Sequence, residues 1–309
     1  NGDLSFDIHL ANADGMCDVV IYSGESAPSG ISYRYYDHGD GTGTGKIDWA
    51  KKWDTNAEGS LSVIRMLEFH VANNRVTDTL PVPSELLLQH PLSPAGHFYR
   101  PNLAPDGTRL VYESNESLDG SAYLAELDLA DCPAPPCISR FLETASGEAK
   151  PQFAKYSLSW SRVYFKVYQS GNGWPAFGFV DRVADTWSEP TIVEHPDVQD
   201  IDVGLWDWDE DGYAEEVLAV ESGFGAGAAI EIWGCLDPGE TPCLVLSGIT
   251  GQYPTIKSID GKPSLIYTYV ENKRQRAIFE YDLNMGTTRM LIDSVPGRNA
   301  NIWDVDAAD

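Results

Sequence analysis

Asp207, Asp209, Asp211, Gly212, Tyr213 and Glu215 stand in "LWDWDEDGYAEEV" (205–217), a run of alternate carboxylates closed by a glycine and a further acid. This is the D-x-D-x-D-G-x-x-[DE] spacing of a loop wrapped round a calcium ion. Alternate carboxylates curl inward, the glycine permits a sharp bend, and the Tyr213 carbonyl adds another oxygen. Hard oxygen donors select Ca2+ over zinc. So many like charges repel one another without a cation; a solvated acidic turn is the alternative reading. An EF-hand would carry glutamate at the twelfth position, where Leu218 stands, and no helical pattern flanks the loop. A second acidic stretch, "DHGDGTGTG" (37–45), has irregular spacing.

Other chemistry-bearing residues are scattered. His90, His97 and His195 fall in polar connections, as do Lys273, Arg274, Arg276 and Arg298, a positive group in a chain short of positive charge. Tyr99 and Trp174 are aromatic platforms for a sugar or peptide ring. Together these residues suggest an anion-accepting, ligand-binding face; ordinary polar loops are the bland alternative. "GDGTGTGKID" is no phosphate loop, because its Gly-Lys lacks a following Ser or Thr and no helix follows. No G-x-S-x-G elbow occurs.

Bulk properties narrow the setting. The 309 residues carry 47 acidic against 21 basic side chains, a net charge of −26. Nucleic acid is excluded as a general partner, since phosphates need a basic footprint. No run approaches the length and apolarity of a membrane-spanning helix. "CPAPPC" and "CLDPGETPC" each enclose a Pro-containing turn between strand-like runs, so Cys132–Cys137 and Cys235–Cys243 read as local disulfides. Neither pair has zinc-finger spacing. Two such bridges imply an oxidising compartment, secreted or periplasmic, with Cys17 left over as a buried thiol.

The elements that must position these groups are strands. Runs such as "TRLVYES", "SRVYFKVYQ", "AAIEIWGC" and "RAIFEYDL" are apolar and β-branched or aromatic, bounded by Gly, Pro, Asp and Asn. They recur in register: Pro101, Pro151 and Pro254 open similar segments, with "DIDVGLWDWDEDGYAEEVLAV" (200–220) between the last two. Four antiparallel strands per roughly 45–50 residues is the unit of a β-propeller blade.

"PNLAPDGTRLVYES…SAYLAELDLAD" resembles the Pro-Asp-Gly repeat of TolB-like propellers, and "DIHLANADG" (7–15) is similar to a later phrase of that repeat. The acidic loop resembles the calcium loops of FG-GAP-type propeller repeats. The resemblance implies a single all-β propeller domain over residues 1–309. Six blades are expected, with N- and C-terminal strands sharing one, or seven if residues 20–60 hide another. It implies a calcium-stabilised module that binds a protein or glycan on its loop-rich face. It also implies an enzyme alternative, because some uronate-specific polysaccharide lyases use such propellers. His90, His97 or His195 would then be the base, and Arg276 or Arg298 the carboxylate neutraliser.

Overall fold

A computed structural model describes residues 5–10, 19–26, 28–51, 55–56, 59–60, 63–73, 75–77, 84–88, 98–114, 122–129, 138–144, 150–169, 173–184, 186–223, 225–237, 240–259, 262–272 and 275–293. Strands dominate. β1 (Ser5–Leu10) and β2 (Val19–Ser26) pair with each other in a two-stranded sheet. The first four-stranded blade follows, from β3 (Pro28–Asp37) and β4 (Thr42–Lys51). β5 (Thr55–Asn56) and β6 (Gly59–Ser60) form a ribbon of their own. β7 (Val63–Ala72) continues the blade, β8 (Arg75–Val76) folds back on it, and β9 (Ser84–Leu88) completes the order β3-β4-β7-β9.

The second blade is β10 (Phe98–Leu103), β11 (Arg109–Ser114), β12 (Ala122–Asp128) and β13 (Ile138–Thr144), paired in sequence order. The third takes β14 (Lys150–Tyr156), β15 (Arg162–Gln169) and β16 (Gly173–Val183). β17 (Thr186–Trp187) is a small return on β16, and β18 (Thr191–Glu194) is the fourth strand. The fourth runs β19 (Val198–Trp206), β20 (Glu215–Ser222), β21 (Ala229–Gly234) and β22 (Cys243–Thr250). The fifth runs β23 (Gln252–Ile259), β24 (Lys262–Asn272), β25 (Gln275–Asp282) and β26 (Thr287–Ile292).

The expected blade count, six or seven, is therefore wrong: the described residues hold five four-stranded blades. The described residues of 28–88 make one blade, in which β4 pairs over its length with β7 on one side and with β3 on the other. Among the described residues β1 and β2 pair only with each other, in a two-stranded sheet. The expected closing strand, "NIWDV", lies outside the described residues.

The chain falls into two compact units, the first containing residues 17–156 and the second residues 157–307. In the first, alternate residues of β4 and β7 are fully buried: Ile47, Trp49, Leu67 and Phe69 pack with Ile8 and Ile21. A Cβ on Gly45 would lie 2.2 Å from the Phe69 ring, so glycine is what lets that ring cross the neighbouring strand. Polar bonds tie blade to blade. Ser32 accepts from the Asn102 amide, and Asn102 in turn accepts the Tyr156 N–H at 3.0 Å. Glu113 accepts the Phe153 N–H at 2.8 Å and pairs with Arg100, whose guanidinium lies 3.4 Å over the Phe153 ring.

The second unit repeats the device. Asp202 accepts the Ile256 N–H at 3.1 Å, and Glu221 accepts the Tyr253 N–H at 2.8 Å. Phe153 and Tyr253 both sit at positive φ, 55° and 53°, which turns their amides out of the ladder and toward these carboxylates. Its cores are Tyr164, Phe177, Val203, Leu218 and Val220 on one seam, and Trp206, Ile230, Ile249, Ile256 and Leu265 on the next. The Cys235–Cys243 disulfide closes the β21–β22 hairpin, with Cα atoms 5.5 Å apart and Gly234 directly opposite Cys243. Cys132 and Cys137 lie outside the described residues.

Candidate metal centre

The acidic loop joins β19 to β20, the first two strands of the fourth blade, in the place that Asp106-Gly107 occupies between β10 and β11. Strand alternation separates its last two acids. Glu215 pairs opposite Trp206 and Glu216 opposite Leu205, so their side chains leave on opposite faces. Glu215 turns into the loop. Glu216 turns into the seam, where it accepts the Leu158 N–H at 2.9 Å and the Tyr164 hydroxyl at 2.6 Å. Burial raises the Glu216 carboxyl, opposed by those hydrogen bonds and by Arg162.

Inside the loop, backbone amides hold one oxygen of each aspartate. Gly212 donates to Asp207 Oδ2 at 3.0 Å, Asp211 to Asp209 Oδ1 at 3.2 Å, and Tyr213 to Asp211 Oδ1 at 2.8 Å. Gly212, at φ 93°, provides the bend. One oxygen each from Asp207, Asp209 and Glu215 then converges within 4.8 Å. Asp207 Oδ1 and Glu215 Oε2 are buried and have no hydrogen-bond partner. Desolvation pushes the Glu215 carboxyl up, and the charges of Asp209, Asp211 and Asp207 push it further. A buried, unpartnered carboxylate oxygen is costly unless a cation meets it. The donor set fits a hard divalent ion: oxygens alone, negatively charged, on a pre-bent loop.

Asp211 is exposed and stands outside the converging trio. The Tyr213 side chain is 76% exposed. In the second acidic stretch the carboxylates serve turns, Asp37 holding the Gly39 amide and Asp40 the Thr42 amide and hydroxyl.

The other candidates are not brought together among the described residues. His195 is buried at the end of β18; its Nε2 meets Glu231 Oε2 at 2.8 Å, and its ring is edge-on to Trp233. Tyr99, Trp174 and Arg276 belong to β10, β16 and β25, with side chains outside the described residues. His90, His97, Lys273, Arg274 and Arg298 lie outside the described residues altogether. Sequence reading missed the seam acids Glu113 and Glu221, although "LVYES" and "LAVES" carry the same Glu-Ser ending.

Five four-stranded antiparallel blades, following one another along the chain, define an all-β protein of the β-propeller class. No protein-family model matches the chain, and no curated protein matches it. Solved structures do. Trypanosoma rangeli sialidase, in complex with difluorosialic acid, aligns with a TM-score of 0.54 at 9% identity, over 95% of this chain and 51% of its own. This chain thus spans about half the length of that sialidase. A candidate 6-phosphogluconolactonase from Bacteroides fragilis aligns at 0.47 and 11% identity, over 91% of this chain and 88% of its own. The β-propeller domain of the Trilobed protease from Pyrococcus furiosus aligns at 0.42 and 12% identity, covering 85% and 70%. At such identities the likeness concerns fold alone. Among the described residues no helix is long and apolar enough to cross a membrane.

Proposed function

We propose that this chain is a calcium-stabilised β-propeller module of an oxidising compartment, secreted or periplasmic, that binds a protein or glycan and carries out no chemistry at its metal. The observation that carries the calcium reading is the convergence of Asp207, Asp209 and Glu215 within 4.8 Å, with two buried carboxylate oxygens left without a partner. Asp207, Asp209 and Glu215 would hold the ion; Asp211 and the Tyr213 carbonyl complete the set expected from the spacing. The ion would supply charge neutralisation between the first two strands of a blade, which is a structural role. The Cys235–Cys243 bridge supports the compartment.

The uronate-lyase alternative gains no support. His195, the described candidate base, is buried against Glu231 and Trp233. Calorimetric titration with Ca2+ and with Mg2+, alongside incubation with pectate, alginate and ulvan, tests the proposal. Calcium uptake that disappears in D207N/E215Q, with no unsaturated uronate released, is the expected result. Absent uptake, or accumulating unsaturated product, overturns it.

A further inference from the structure

We propose a second ligand site, for a neutral sugar ring, in the seam between the fourth and fifth blades. It rests on the binding-module reading above and gives that module a ligand class and a place. A cavity of about 430 Å3 opens there, lined by Tyr267, Tyr269, Phe279 and Tyr281, with Ser247 and Thr288 at its rim. That volume falls within the range of small-molecule sites, about 300–1,000 Å3.

Register explains the aromatic wall. Tyr267 is directly opposite Phe279 across β24 and β25, and Tyr281 is directly opposite Thr288 across β25 and β26. Residues two apart on a strand share a face, so Tyr269 and Tyr281 join Tyr267 and Phe279 on one side of the blade. The Tyr267 and Phe279 rings stack at 5.9 Å and 22°, and Tyr269 stands edge-on to Phe279 at 6.0 Å and 87°. Tyr267, 6% exposed, forms the floor; a Cβ on Gly251 would press to 2.3 Å from its ring. Tyr269, Phe279 and Tyr281 stay partly open.

The facing wall is β22. Deeper in the same seam Ile249 packs against Ile256 and Leu265 in a closed core. One residue before Ile249, Gly248 takes φ 91°, and a Cβ built there would meet nothing within 4 Å. The strand therefore bends where the core ends, and the space stays open.

The lining selects the ligand. Aromatic faces offer flat apolar surface to the C–H face of a pyranose. Tyrosine, serine and threonine hydroxyls can each donate and accept toward ring hydroxyls. Among the described residues no charged side chain lines the cavity, in a chain of net charge −26. None of these described lining residues compensates a carboxylate, which favours neutral sugars over uronic and sialic acids. A peptide strand would seek an unpaired sheet edge, whereas this cavity lies between two sheet faces.

Isothermal titration of the full, calcium-loaded chain with cellohexaose, laminarihexaose, maltohexaose and mannohexaose tests the site, with hexagalacturonate as the charged control. We expect at least one neutral hexaose to bind and hexagalacturonate not to bind. Tyr269→Ala should weaken binding tenfold or more, while Tyr269→Phe, which keeps the ring, should stay within about threefold. Ser247→Trp fills the cavity from an exposed position without touching the core, and should abolish binding at an unchanged melting midpoint. Failure of every neutral hexaose to bind overturns the site. Binding that survives both Tyr269→Ala and Ser247→Trp overturns it too, while leaving the module reading intact. Cleavage of a hexaose whose binding those variants abolish would keep the site and refute the non-catalytic reading instead.

Discussion

Stripping calcium from the β19–β20 loop should lower the melting temperature, and the size of the fall follows from the geometry. Asp207, Asp209 and Glu215 present oxygens within 4.8 Å of one another. Each pair of unit charges at that separation repels by about 1 kcal/mol at the dielectric of water and about 3.5 kcal/mol at an effective value of 20. A bound divalent ion removes that repulsion. Calcium sites of extracellular modules have dissociation constants of about 0.1–1 mM. At about 10 mM free calcium, linkage then gives about 1.4–2.7 kcal/mol of stabilisation. For cooperative unfolding of a chain of 309 residues that is about 2–4 °C between calcium and EGTA.

Asp207→Asn supplies the sign. The amide oxygen can still accept the Gly212 N–H, so the bend survives, but one of three like charges is gone. In EGTA the variant should melt above the unmodified chain, and in calcium it should gain little. Differential scanning fluorimetry of both proteins in calcium, magnesium and EGTA reads all of this. Equal midpoints in calcium and EGTA, or a calcium shift undiminished in D207N, would refute the reasoning; so would a magnesium shift as large as that of calcium.

Burial, aided by the Asp200 charge, raises the Glu221 carboxyl to about 8. The folded chain therefore keeps a proton that the unfolded chain releases near the ordinary carboxylate range, and stability should fall as pH rises through the window from about 4.5 to 8. Urea midpoints at both ends should show the slope, and Glu221→Gln should flatten it. Gly204→Ala places a Cβ 2.1 Å from Ile256 Cγ2 and 3.0 Å from the Ile256 carbonyl oxygen, so about 1–3 kcal/mol of overpacking should appear as a lower urea midpoint. Cys243→Ser opens the loop of the Cys235–Cys243 bridge, whose ends are 8 residues apart. The chain-entropy relation puts the loss at about 2.5 kcal/mol, which reduction of the unmodified protein by dithiothreitol should reproduce.

The repeat was legible because hydrophobic runs and turn residues are local signals. The segments opening at Pro101, Pro151 and Pro254, and the one at 200–220, each fall on the first strands of a blade. The blade count was not legible: "SFDIHL" and "VVIYSGES" read equally well as a pair or as half of a larger sheet, and only pairing partners distinguish the two. Register was only partly legible. Prolines suggested that Pro101, Pro151 and Pro254 correspond, yet the positive-φ residues that play the same part are Arg100, Phe153 and Tyr253. Pro101 and Pro254 follow that bend directly, whereas Pro151 precedes it. In the acidic loop Asp207, Asp209 and Glu215 present oxygens within 4.8 Å of one another, as alternate residues of a curled loop would. Spacing could not show that Asp211 stays exposed, holding the Tyr213 amide.

What escaped sequence reading is the polar bonding between blades, and its logic is non-local. A glutamate near the end of an apolar second strand looks like an edge residue, as Glu113 and Glu221 do. Each instead takes an amide that a bulge has released, 40 and 32 residues further on. In the third blade Lys166 is buried at the corresponding point of β15 and donates to the Gln199 carbonyl. A carboxylate that accepts N–H has become an ammonium that donates to C=O, so the first strand of the next blade must offer the opposite end of its peptide group. The Lys166 joint thus requires a carbonyl, because a buried ammonium facing an amide would lack its bond at several kcal/mol. Repeats that look interchangeable by hydrophobic pattern are in this way distinguished along their seams by the polarity of one buried side chain, Glu113 or Glu221 against Lys166.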